Sequence, residues 1–134
     1  MSLDRFVGAQ EEGVYARALA ELRTGRKESH WMWFVFPQIA GLGRSETARF
    51  YAIASLDEAR AYLAHPVLGP RLVEATETIV SASGTAEAIL GPVDALKLRS
   101  SMTLFEAVAE EPAPFRAALD RFGGERDAET VRRI

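Results

Sequence analysis

The sequence predicts an all-α fold of about six to eight helices with little or no sheet, and three observations point that way. Apolar residues recur at i, i+3 and i+4 through most of the chain. Serine, threonine or aspartate stands before these segments, where a helix needs a cap. Glycine or proline stands after them, where a helix stops.

The first stripe is Leu3, Phe6 and Val7, with Ser2 placed as its cap. Its continuation falls on Gln10, an amide where an apolar residue is expected. VYARALAELR carries Val14, Tyr15, Ala18, Leu19 and Leu22 on one face, and Thr24 and Gly25 end it. The apolar run Trp31 to Pro37 suits a buried strand or one buried helical turn equally. Helix is favoured, because Ser29 is placed to cap it, Pro37 ends it, and no other segment offers a strand partner.

QIAGLGRS reads as a loop and lacks a phosphate-binding pattern, since GLG has no third glycine. Ser45 starts a short helix through Ala48 and Tyr51. Ser55 and Glu58 form a capping box for LDEARAYLAH, which Pro66 stops. Leu68, Leu72, Ala75 and Ile79 share one face of a helix reaching about Ala82. A short TAEAIL turn precedes a longer helix from Asp94 to about Glu110. Beyond Pro112 and Pro114, Phe115, Ala118, Leu119 and Phe122 form another stripe closed by Gly123, and Asp127 caps a last helix. With no repeat, low-complexity tract or long linker, residues 1–134 are expected to be a single globular helical domain.

Composition bounds the function. Sixteen Lys and Arg against 19 Asp and Glu give a net charge of −3, which argues against a dedicated nucleic-acid binder. The Arg26–Lys27 pair opens no basic stripe, so RNA stacking on the tryptophans is a weak reading. There is no cysteine and there are only two histidines, so neither a metal nor a cofactor is expected. The longest apolar run is far below the ~18 residues of a membrane helix. MSLDRFVGAQ has neither the basic start nor the apolar core of a signal peptide, so the expected location is the cytoplasm.

Polar residues at apolar positions mark the candidate site. On a wheel of DALKLRSSMTLFEAV, Leu98, Met102, Leu104, Phe105 and Val108 define the core sector. Asp94, Lys97 and Ser101 fall inside it, whereas Ser100 and Thr103 point to the far side. Asp94 capping the helix and Ser101 bonding back to a carbonyl would explain them without a ligand; a polar stripe lining a cavity is the sharper alternative. His65, beside Pro66 at a helix end, reads as a capping group. His30 stands among Arg26, Lys27, Trp31 and Trp33 and is the candidate general base. A Ser101–His30–Asp94 triad has no G-x-S-x-G elbow behind it.

The stretches RFVGAQ, ALAELRTGRKESHWMWFVFPQIAGLGRS, YAIASLDEARAYLAHPVLGPRL and DALKLRSSMTLF resemble the domain-of-unknown-function-1810 family over nearly the whole chain, from about Leu3 to Val131. The resemblance implies a multihelical fold and no established reaction. It carries over no catalytic residues.

The expected function is therefore binding of a small anionic or nucleotide-like metabolite, in a pocket between residues 25–38 and the helix of residues 94–105. Arg26 and Lys27 meet its charge, Trp31 or Trp33 stacks on a ring, and Gln10, His30, Gln38, Asp94, Lys97 and Ser101 orient it. The alternative is an interaction module that docks a partner through Trp31 and Trp33, which requires an exposed patch. Whether the chain is an enzyme and how it oligomerises are not legible.

Overall fold

Ser45, Ser55 and Asp127 open helices where the sequence places them. A computed structural model describes residues 2–134. Among them are ten helices, five of seven residues or more. They are α1 (Asp4–Ala9), α2 (Val14–Thr24), α3 (Met32–Val35), α4 (Glu46–Phe50) and α5 (Leu56–Ala64), then α6 (Leu68–Ser81), α7 (Ala86–Leu90), α8 (Pro92–Val108), α9 (Ala113–Arg121) and α10 (Ala128–Arg133). The described residues contain no sheet, only an isolated parallel bridge between Ile39 and Ile53.

The caps show how local chemistry writes the boundaries. Ser45, Ser55, Thr85 and Asp127 each accept the backbone N–H three residues on. His65 Nδ1 accepts the N–H groups of Val67 and Leu68 at 3.1 and 3.2 Å, which makes it a cap for the start of α6. Glu58 completes the capping-box motif differently from expectation. Its carboxylate takes the N–H of Ala54 and the guanidinium of Arg5.

Three expectations need correction. Ser2 accepts the Asp4 N–H, but Leu3 holds the N-cap position and its side chain caps nothing. Ser29 does not cap α3, because the Glu21 carboxylate draws its hydroxyl away. Asp94 does not cap α8; Gly91 holds that position and Pro92 opens the helix.

The core forms where the amphipathic faces converge. α6 packs on α2, α5 and α9, and α8 packs on α5, α7, α9 and α10. At Gly69 a methyl group would overlap the Leu63 carbonyl, so α5 and α6 approach backbone to backbone. α8 is thereby surrounded, and Ser100 and Thr103, expected on its far side, are buried. Thr103 Oγ1 donates to Arg99 O and accepts the N–H of Asp127 at 3.0 Å, while Ser100 bonds back to Leu96 O. The wheel assumed one covered face; the helices after α8 cover a second.

No helix among the described residues is long and apolar enough to cross a membrane.

Candidate functional site

The two segments singled out by their polar residues meet in the fold. The turn after α2 lays residues 25–31 beside the start of α8, and Lys27 N–H donates to Ile89 O at the end of α7, 2.7 Å away. Lys27 Nζ then reaches Asp94 Oδ2 at 3.0 Å, and Lys97 Nζ, one turn along α8, reaches Asp94 Oδ1 at 3.0 Å. The three side chains are largely buried. Burial alone would raise the Asp94 pKa, but the hydrogen bonds and charges of the two lysines outweigh it and hold the carboxyl below its ordinary value. Two lysines on one carboxylate leave the cluster with one excess positive charge.

That charge lies against the tryptophans. Lys97 Nζ sits 4.1 Å from the Trp33 ring centroid, and Lys27 Nζ 5.4 Å from that of Trp31. Trp31 is 1% exposed and belongs to the core. Trp33 is half-buried, and its ring forms one wall of a cavity of about 150 Å³.

The cavity exists because the loop of residues 38–53 is closed on itself. Ile53 N–H donates to Gln38 O and Ala40 N–H to Ile53 O, both at 2.8 Å. Gly43 lets the loop pass close to the indole, since a Cβ there would lie 3.3 Å from Trp33 Cη2 and collide with Ala48. Gln38, Arg49 and Tyr51 complete the walls. Gln38 is 7% exposed, and its Nε2 is buried without an acceptor among the described residues.

Ser101 is fully buried and its hydroxyl has no partner either, so the back-bond to a carbonyl that would have explained it is not made.

The remaining predicted residues lie elsewhere. Gln10 is buried, donates to Phe34 O at 2.8 Å and to Tyr62 Oη at 3.4 Å, and accepts from Arg71 at 3.2 Å. This network is a structural one that ties α1 to α6. Arg26 and His30 are exposed, and His30 lines a separate cavity of about 220 Å³. Ser101, His30 and Asp94 are not drawn into a hydrogen-bonded triad. A further concavity of about 290 Å³, mostly apolar, runs between α7, α8 and α9 and includes Leu96, Met102 and Phe122.

Sequence reasoning missed Glu21, which organises the whole 25–31 turn. Its Oε1 accepts the N–H of Glu28 at 2.8 Å, the N–H of Ser29 at 3.0 Å and Trp31 Nε1–H at 2.9 Å, and its Oε2 accepts the Ser29 hydroxyl. Burial would raise its pKa, but these four donors together lower it to about 2. Arg49 and Tyr51 were also missed, because only the Ile39–Ile53 bridge brings their helix to Gln38. The one available signal was Glu21 itself, a carboxylate beside Leu22 on an otherwise apolar face.

No curated protein sequence matches this chain. Its fold matches a crystal structure at 1.38 Å of the conserved hypothetical protein Rv1873 from Mycobacterium tuberculosis, with a TM-score of 0.94 and 52% identity over 97% of this chain and 94% of that one. The profile of DUF1810, described as a protein of unknown function, matches residues 1–134, so the chain belongs to the DUF1810 family.

Proposed function

We propose that this protein binds a small planar metabolite carrying negative charge, in the cavity walled by Trp33 and closed by Gln38. The observation that carries the reading is the Gln38 amide, buried at a cavity wall with no acceptor for its Nε2. A buried donor left unmade costs about 1–3 kcal/mol, and a turn of the amide that brings Nε2 to the cavity surface lets an acceptor on a ligand ring relieve that cost. The volume suits one planar ring the size of a nucleobase rather than an extended cofactor. Lys97 above the indole and Arg49 in the wall give the surroundings the sign an anionic substituent requires. In this reading Lys27 and Asp94 set the position of Lys97 rather than touch the ligand.

The alternative, docking of a partner on the tryptophans, needs an exposed aromatic ridge. Burial of Trp31 to 1% exposure weighs against it.

The test is a thermal-shift panel of nucleotides, sugar phosphates and cofactors on the wild type and on Gln38→Met, Lys97→Ala and Lys27→Ala. A ligand at 100 times its Kd stabilises the fold by about 2.7 kcal/mol through mass action. At least one planar anionic compound is expected to raise the wild-type Tm, with the shift reduced in Gln38→Met and Lys97→Ala. A panel in which nothing stabilises the wild type, or in which every hit survives all three substitutions, overturns the reading.

A further inference from the structure

The second cavity, around His30, poses a question that the Trp33 site does not answer. His30 is exposed, yet the residues on both sides of it are fixed. Ser29 and Trp31 are each hydrogen-bonded to the buried Glu21 carboxylate, through Ser29 N–H and Oγ–H and through the Trp31 indole. The turn is thus held rigid around one outward imidazole, which is how a binding group is kept in place by the residues behind it.

The lining of this cavity carries a second anomaly. Glu12 has φ of 56°, the sole non-glycine residue with positive φ among the described residues. A glutamate in the left-handed region is strained, and such strain persists where the surrounding structure imposes it, frequently at a ligand site. Glu12 and His30 line the same cavity of about 220 Å³, together with Arg17, Ser29 and Trp31. Among the described residues, none of Glu12, Arg17 and His30 takes part in an ion pair. Two nitrogen-bearing side chains and one acidic side chain, none of them in an ion pair, therefore belong to residues that line one concavity.

We propose that this cavity is a binding site for a small phosphate monoester that also bears a hydroxyl group. Arg17 and His30 donate to the phosphate oxygens: the guanidinium offers a planar fork, and an imidazole ring offers an N–H in either protonation state. Glu12 repels the phosphate and accepts the hydroxyl, so it fixes which end of the ligand lies where. This site stands independently of the Trp33 cavity and does not require that reading.

The experiment is calorimetric titration of the full chain with glycerol 3-phosphate and with inorganic phosphate at constant ionic strength. Proton NMR of the two histidines locates the binding, because His65, which caps α6, serves as an internal reference. Glycerol 3-phosphate is expected to move the His30 ring signals and leave those of His65 in place. Arg17→Ala and His30→Ala are expected to weaken it at least about tenfold, as the loss of a charge-assisted hydrogen bond implies. Glu12→Gly suits the left-handed backbone, so it keeps the fold and is expected to erase the preference for glycerol 3-phosphate over inorganic phosphate. Gln38→Met is expected to leave the titration unchanged, which separates this site from the Trp33 cavity. No saturable change at His30 with either compound overturns the proposal. So does binding that survives both Arg17→Ala and His30→Ala, or equal affinity of the wild type for the two compounds.

Discussion

Replacing Glu21 by Gln tests the carboxylate that fixes the turn carrying Lys27 and His30. Glu21 is 8% exposed, and its carboxylate accepts four donors from residues 28–31. Its pKa is lowered from 4.5 to about 2. At 1.36 kcal/mol per unit, that difference corresponds to about 3 kcal/mol of folding stability. Because the folded-state pKa is the lower one, this contribution is complete above pH 4.5 and fades as the pH falls toward 2. A glutamine keeps the acceptor oxygen that takes three of the donors, and its NH₂ meets a Ser29 hydroxyl that can turn to accept, so the loss is the negative charge that strengthens all four bonds. Urea unfolding followed by tryptophan fluorescence is expected to show Glu21→Gln less stable by about 2–3 kcal/mol at pH 7, with the gap narrowing as pH approaches 2. A gap below about 1 kcal/mol at pH 7, or one independent of pH, would refute the view that this carboxylate holds the turn.

Three other substitutions probe separate features. Gly69→Ala places a methyl group on the Leu63 carbonyl and is expected to cost about 3 kcal/mol or more, measured by chemical denaturation. Ser101→Ala removes a fully buried hydroxyl without a partner and is expected to stabilise the chain by about 1 kcal/mol in the same assay. Asp94→Asn leaves Lys27 and Lys97 crowded without a counter-charge, so it is expected to destabilise by about 2 kcal/mol, with a loss that shrinks in high salt.

The fold was legible where its chemistry is local. Ser45, Ser55 and Asp127 accept from the third residue along, a relation visible in the sequence without knowing any other part of the chain. The Asp94–Lys97 pair is equally local, and it forms as its i, i+3 spacing predicts. What failed needed long-range information. Ser29 has the right spacing for a cap, but Glu21 competes for it from the preceding helix. Thr103 looked outward until the loop before α10 closed over it. Of the predicted site, Lys27, Trp33, Asp94 and Lys97 come together, whereas Gln10 serves the core and His30 faces another cavity. Arg49 and Tyr51 reach Gln38 through two backbone hydrogen bonds at Ile53, which no side-chain pattern announces.

The cavity behind Trp33 can be interrogated with unusual selectivity. The chain has two glutamines, Gln10 and Gln38, no asparagine, and two tryptophans. Its ¹⁵N–¹H spectrum therefore holds two side-chain amide pairs and two indole signals, with Gln10 and Trp31 as references bonded within the protein. Titration with the compound that most raises Tm is expected to shift the Gln38 amide and the Trp33 indole together, leaving Gln10 and Trp31 in place. Shifts confined to the groove around Leu96 and Met102, or no shift at Gln38 under saturating ligand, would contradict the assignment of this cavity as the binding site.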